Sequence, residues 1–314
     1  MGSVVLQAAA GLLLLYFGGE LLVRGASSLA SRLGISSLAI GLTVVAFGTS
    51  APELVVSLNA ALSGANDISV GNVVGSNIAN LALILGLAVL IRPARVEAKI
   101  VRIDAPILIA ASLALIAILS DGAATRFEGA LLVVGLVGYT GFTFWEAGRE
   151  TLPVKEELAS AAPEERSAAA TGAGWVLAGL VLLVGGGHLL VSSAVSLATS
   201  FGVPQATIGL TIVAIGTSLP EFATSVIAAM KGHGDIAIGN VVGSNLFNIL
   251  GILGVTAIVR PLSLGAITWI DLGTMFGVAC VVTAMIAARG RLGRIEGAAL
   301  LAGFVLYTGW LLAG

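Results

Sequence analysis

GLTVVAFGTSAPELVVSLNAAL, Gly41 to Leu62, returns 168 residues later as GLTIVAIGTSLPEFATSVIAAM, Gly209 to Met230, with 13 of 22 positions identical. A second stretch behaves in the same way. DISVGNVVGSNIANLALILG, Asp67 to Gly86, and DIAIGNVVGSNLFNILGILG, Asp235 to Gly254, share 13 of 20 positions. The same offset pairs Glu128-Gly129 with Glu296-Gly297 and Tyr139-Thr140-Gly141 with Tyr307-Thr308-Gly309, so an entire fold unit is duplicated.

Outward from these blocks the chain is too apolar for water. Of 314 residues 57% are apolar and 10% charged, against about 45–50% and about 25% in a soluble domain. Ten stretches are each long enough to cross a bilayer, which takes about 20 apolar residues. They are Val4 to Val23, Ser37 to Leu62, Ile68 to Ile91, Ala105 to Leu119, Phe127 to Trp145, Gly174 to Leu197, Thr207 to Met230, Ile236 to Val259, Leu272 to Ala288 and Ile295 to Leu312. The first lacks a basic start and is too long for a cleaved signal. Trp145, Trp175, Trp269 and Trp310 fall near span ends, as an interfacial aromatic belt requires.

Five spans per copy is an odd number, so the second copy enters the membrane from the opposite side. The expected fold is an all-α integral membrane protein of ten transmembrane helices in two inverted-topology repeats. Residues 1–148 and 172–314 form the repeats and 149–171 a cytoplasmic linker. Loops after odd-numbered spans hold 13 of the Lys and Arg residues and the other loops two, Arg126 and Arg260. Because basic residues concentrate on the cytoplasmic side, both termini are expected outside. The linker has five glutamates, three basic residues, Pro153 and Pro163. It reads as a solvated tether without the spacing of a calcium-binding EF-hand.

The function classes narrow from there. A net charge of −2 points to no nucleic-acid partner, and a single cysteine, Cys280, excludes an internal disulfide or a cysteine metal cluster. Cys280 reads as a packing residue. No nucleophile-base pair or histidine metal site suggests an enzyme, and no cofactor is indicated. Gly185 to Gly187 resembles no phosphate loop and reads as helix-packing surface. Glu20 has Arg24 four residues on, which reads as a helical ion pair.

Glu53 and Glu221 need a different account, because they lie near the middle of spans 2 and 7. A charged side chain there costs about 2.5–3.5 kcal/mol on insertion scales and usually marks an ion path. Inverted repetition would bring the two together, where they repel unless a cation lies between them. Thr49, Ser50 and Ser57 share a helix face with Glu53, as Thr217, Ser218 and Ser225 do with Glu221. Pro52 and Pro220 remove a backbone donor each, so the helix should break there and free carbonyls, as in transporter binding sites. Asn72, Ser76 and Asn80, and likewise Asn240, Ser244 and Asn248, are spaced four apart, a stripe of neutral oxygens beside Asn77 and Asn245. Two carboxylates among hydroxyl, amide and carbonyl oxygens make a site for hard cations, either one calcium or a few monovalent ions.

The paired GTSAPE/GTSLPE and GNVVGSN segments resemble the alpha-repeats of the sodium/calcium exchanger branch of the cation/calcium antiporters, and the resemblance covers essentially the whole chain. It implies a sodium/calcium antiporter, functional as a monomer in the cytoplasmic membrane, working by alternating access as spans 1 and 6 slide against a core. It further implies calcium held by the Glu53 and Glu221 carboxylates and the Thr49 and Thr217 carbonyls. Sodium would use the Ala46 and Ala214 carbonyls, the hydroxyls of Ser50, Ser218, Ser76 and Ser244, and the same glutamates, with Asn80 and Asn248 at the centre. Many relatives carry aspartate at the position of Asn248, linked to potassium in potassium-dependent members, so asparagine there makes a potassium requirement unexpected. GTS in place of the Gly-Asn of proton-coupled relatives favours sodium. A calcium/proton exchanger and a calcium channel remain as alternatives.

Overall fold

In lipid a backbone has only its own groups to bond to, and long apolar runs therefore fold as helices. The computed structural model describes residues 2–148, 169–201, 214–265 and 267–313. In chain order the helices are α1 (Gly2–Leu33), α2 (Ser37–Thr49), α3 (Ala51–Leu62), α4 (66–91), α5 (Ile100–Asp121) and α6 (Arg126–Ala147). Then come α7 (Ala169–Ser200), α8 (Ala214–Thr217), α9 (Leu219–Lys231), α10 (Gly234–Val259), α11 (Trp269–Arg289) and α12 (Arg294–Ala313). Four two-residue strands, β1 (Ala94–Arg95), β2 (Ala123–Ala124), β3 (Leu262–Ser263) and β4 (Arg291–Leu292), pair antiparallel as β1 with β4 and β2 with β3.

Among the described residues seven helices, α1, α4, α5, α6, α7, α10 and α11, are long and apolar enough to cross a membrane. The α2 and α3 pair, bent by 44° at its break, makes an eighth candidate. The expected seventh span begins outside the described residues and continues as α8 and α9; the expected tenth is α12, which is not among those seven. Most of the expected linker, 149–168, also lies outside the described residues. Several helices outrun their expected spans, α1 and α7 to 32 residues each. The α5 helix starts early because a π-helical turn, Ile100–Asp104, carries the polar Arg102 and Asp104 into it.

Burial separates core from periphery. In α10 89% of the apolar stretch is buried and in α4 67%, against 22% in α1 and 28% in α7. Outward residues such as Leu6, Phe127, Ile295 and Leu306 are exposed, as suits a lipid solvent. Trp145, Trp269 and Trp310 are exposed near helix ends.

Contacts recur in pairs 168 residues apart. Gly86 packs on the backbone of Gly297, and Gly254 on that of Gly129. Arg92 Nη1 donates to the Met230 carbonyl at 3.3 Å, and Arg260 Nη1 to the Leu62 carbonyl at 2.9 Å, each closing the C-terminal end of a helix in the other half of the chain.

Helices α1 and α7 run antiparallel, and glycine sets how closely they pack. Gly11, Gly18 and Gly25 meet Gly186, Gly179 and Gly172 in turn. The seven-residue spacing keeps each set on one face, where small residues let backbones touch. Glu20, on α1, pairs with Lys231 of α9. The expected pairing within α1 is joined by a partner from another helix: Arg24 still attracts Glu20, while its guanidinium stacks 4.4 Å above the Trp175 ring.

A methyl group at Gly18 would lie 2.8 Å from the Leu183 nitrogen and 3.0 Å from the Gly179 carbonyl oxygen, backbone atoms that cannot rotate away. Gly18→Val should therefore destabilise the purified protein by about 1–3 kcal/mol, read as a lowered thermal midpoint. Gly138→Ala, where nothing lies within 4 Å, should stay within about 0.5 kcal/mol of the parent.

Candidate cation site

Two helix breaks build the site. Ser50, between α2 and α3, has φ −85° and ψ 8°, and Ser218, between α8 and α9, has the same values. Pro52 and Pro220 follow in the first turn of α3 and α9. Lacking an N–H, they cannot bond the carbonyls four residues back, at Gly48 and Gly216. Glu53 and Glu221 thus sit in the first turn of a new helix, where the positive end of the helix dipole favours a negative charge. They are 2% and 1% exposed, so their interactions are decided inside the protein.

Each carboxylate is met by the serine of the opposite break. Ser50 Oγ donates to Glu221 Oε1 at 2.7 Å and Ser218 Oγ donates to Glu53 Oε1 at 3.1 Å. Ser218 Oγ also lies 3.3 Å from Ser76 Oγ on α4. The two acidic segments therefore form a single polar centre across the halves of the chain. The remaining oxygens, Glu53 Oε2 and Glu221 Oε2, are buried without a hydrogen-bond donor.

Helices α4 and α10 supply the rest. Their wide π-helical segments, Ala79–Ile84 and Phe247–Leu253, carry Asn80 and Asn248, each 1% exposed. Among the described residues neither amide atom of Asn80 has a partner, nor does Ser244 Oγ or Asn248 Oδ1. Asn248 Nδ2 donates to Asn77 Oδ1 at 3.2 Å. Asn245, beside the stripe, keeps both amide atoms unpartnered. Buried polar atoms without partners are costly and call for an explanation. Of the six orphaned oxygens named at this centre, five belong to residues expected to hold cations, and the sixth is Asn245 Oδ1.

Other members of the expected set are more heavily engaged. The Ala46 carbonyl accepts the Ser50 N–H at 3.1 Å and Thr49 Oγ1 at 3.4 Å. Thr49 Oγ1 also donates to Asn240 Oδ1 at 3.1 Å, and Thr217 Oγ1 to Asn72 Oδ1 at 3.4 Å. Ala214 opens the described part of its helix.

Spacing groups Asn72 and Asn240 with the neutral stripe, but their amides are committed elsewhere. Asn72 Nδ2 donates to the Glu53 carbonyl at 3.2 Å and to Ser57 Oγ at 2.9 Å. Asn240 Nδ2 reaches the Glu221 carbonyl at 3.4 Å and Ser225 Oγ at 3.0 Å. Each asparagine pins the helix after one break and receives a threonine from the other. The available signal was that both stand 19 residues after a glutamate, but spacing alone does not separate a brace from a ligand.

Chemically the centre offers carboxylate, hydroxyl, amide and carbonyl oxygens. Among the described residues no three of His, Cys, Asp and Glu converge. Any cation bound here would complete its shell with neutral oxygens, a pattern that fits sodium or calcium and fits zinc or copper poorly.

The sequence model of the family described as sodium/calcium exchanger protein matches residues 3–145 and 171–313. The CaxA protein of Alkalimonas amylolytica is 41% identical over 306 residues, 95% of each chain. Sodium/calcium exchanger MaX1 of Methanosarcina acetivorans is 32% identical over 332 aligned positions, again 95% of each chain. A solved structure of the sodium-calcium exchanger NCX_Mj superposes with a TM-score of 0.86 at 28% identity, covering 98% of this chain and 97% of the other. With a family match across both halves and relatives aligned nearly end to end, this chain belongs to the sodium/calcium exchanger family of membrane cation/calcium antiporters.

Proposed function

We propose that the protein exchanges sodium for calcium across the cytoplasmic membrane, acting as a monomer through one central site that faces the two sides in turn. The observation that carries this reading is the crossed pair of contacts, Ser50 to Glu221 and Ser218 to Glu53, which makes one acidic centre from two broken helices. An antiporter needs a site that either ion type can occupy but not both together. Two carboxylates balance one calcium, or sodium ions aided by neutral oxygens. In this reading Glu53 and Glu221 with the Thr49 and Thr217 carbonyls hold calcium. The Ala46 and Ala214 carbonyls and the hydroxyls of Ser50, Ser218, Ser76 and Ser244 serve sodium, with Asn80 and Asn248 lining the centre.

The ten-span, inverted arrangement is part of the same proposal. It is supported by the antiparallel course of α1 and α7, which occupy equivalent places in the two halves, and by the contacts repeated at the 168-residue offset. A swap of access by pseudo-symmetric motion follows from such a fold. Helices α1 and α7, peripheral and tightly paired, are suited to slide as one body. The distribution of Lys and Arg supports an orientation with both termini outside.

In vesicles loaded with sodium and diluted into sodium-free medium, calcium uptake should follow the imposed sodium gradient. Equal uptake driven by protons alone would make the protein a calcium/proton exchanger, and equal uptake with no counter-ion would make it a channel. Glu53→Gln and Glu221→Gln should each reduce exchange to the level of protein-free vesicles, because each removes a charge that only the cation balances; retained exchange would remove the site assignment. Exchange by the parent protein should not depend on added potassium, because Asn80 and Asn248 contribute no third negative charge.

A further inference from the structure

A polar cavity, separate from the acidic centre, lies where the C-terminal end of α4, strand β1 and the turn between α9 and α10 meet. Its volume is about 290 Å³, near the lower end of the roughly 300–1,000 Å³ typical of small-ligand sites. Leu85, Val89 and Ile238 give it an apolar floor, and Arg92, Arg95 and Asp235 line it with charge.

The turn is shaped around Arg92. Gly232 has φ +90°, a left-handed conformation, and a methyl group there would fall 2.9 Å from the guanidinium carbon of Arg92. Arg92 spends one nitrogen on the Met230 carbonyl at 3.3 Å. The side chains of Arg95 and Asp235 make no hydrogen bond or ion pair among the described residues, although they border the same cavity. Charges of opposite sign around one cavity, not joined to each other, suit a ligand that carries both signs.

Strand pairing adds to the positive side. In the β1–β4 ladder Arg95 stands directly opposite Arg291, and both are exposed. Like charges in register are destabilising unless an anion offsets them. The equivalent β2–β3 ladder places Ala123 opposite Ser263, and Ser263 accepts a hydrogen bond from Asn66 at 3.0 Å. The doubled arginine therefore belongs to one end of the molecule. That end is where apolar helices stop, the depth of phospholipid headgroups. Ile91 and Met230, 38% and 59% exposed, stand just before Arg92 and the Gly232 turn and offer apolar surface for acyl chains.

We propose that this cavity binds the headgroup of a zwitterionic phospholipid bearing a primary ammonium, with Arg92 and Arg95 on the phosphate and Asp235 on the ammonium. Arginine suits phosphate because its planar donors match the oxygens, and the carboxylate distinguishes this headgroup from a purely anionic one.

The test uses the delipidated full chain in detergent, titrated with phosphatidylethanolamine, phosphatidylglycerol, phosphatidylcholine or inorganic phosphate, with bound ligand counted by native mass spectrometry. Phosphatidylethanolamine should bind in preference to the other two lipids. Asp235→Asn should erase its advantage over phosphatidylglycerol, and Arg95→Gln should weaken it about tenfold, the loss of one charged hydrogen bond. Arg95→Lys, which keeps the charge but loses the planar fork, should bind more tightly than Arg95→Gln and less tightly than the parent, and Arg102→Gln, outside the cavity, should bind as the parent does. Should Asp235→Asn fail to fold, the contrast between Arg95→Gln and Arg95→Lys still decides. Equal binding of the three lipids, a preference for phosphatidylglycerol in the parent protein, or a preference unchanged in Asp235→Asn would overturn the proposal. So would displacement of the lipid by equimolar inorganic phosphate, which would mark a site for a soluble phosphate.

Discussion

A carboxylate withdrawn from water into a lipid-embedded protein must find compensating hydrogen bonds or positive charge, and the centre of this molecule is organised around that requirement for Glu53 and Glu221. Among the described residues neither has a basic side chain as partner; what reaches them are hydroxyls, above all a serine each, donated across the two halves. The helix breaks put each glutamate in a first turn, where unbonded N–H groups gather. One oxygen of each still lacks a donor. A centre compensated only to that degree leaves negative charge to be balanced, and the proposed exchange rests on cations doing so.

The surrounding helices serve this centre in different ways. Helices α4 and α10 are buried deeply enough to carry amides and hydroxyls into the interior, and their π-helical segments turn Asn80 and Asn248 inward. Asn72 and Asn240 brace the helices after the breaks. By contrast α1 and α7 touch each other through glycine and present mostly apolar surface outward. A partly exposed ion pair, Glu20 with Lys231, joins α1 to α9, and such pairs contribute about 0–1 kcal/mol. It ties an outer helix to the core at little energetic cost.

Much of the proposed site was legible because two patterns coincide. GTSAPE and GTSLPE each combine a proline that breaks a helix with a carboxylate that lipid disfavours, and duplication turns two weak signals into one strong one. The roles of individual amides were not legible. Asn72 and Asn80 lie on the same helical stripe, yet one is consumed by the Glu53 backbone and the other keeps both amide atoms unpartnered. Periodicity gives a residue's face; it does not tell which neighbouring helix stands against that face. Glu20 shows the same limit, since its hydrogen-bonded partner is a lysine 211 residues away that no local spacing points to.

From the order of amino acids alone it follows that the chain lives in lipid, that it is built twice, and that two glutamates lie where a charge must have a purpose. Those conclusions rest on composition, offset and local backbone chemistry, which need no knowledge of partners. Tertiary structure alone decided the crossing of the serines onto the opposite glutamates, the bracing by Asn72 and Asn240, the glycine seam of α1 and α7, and the gathering of Arg92, Arg95 and Asp235 around one cavity. Each is a contact between segments far apart in the chain, and its geometry comes from how helices pack, an outcome of the whole fold that no local stretch encodes.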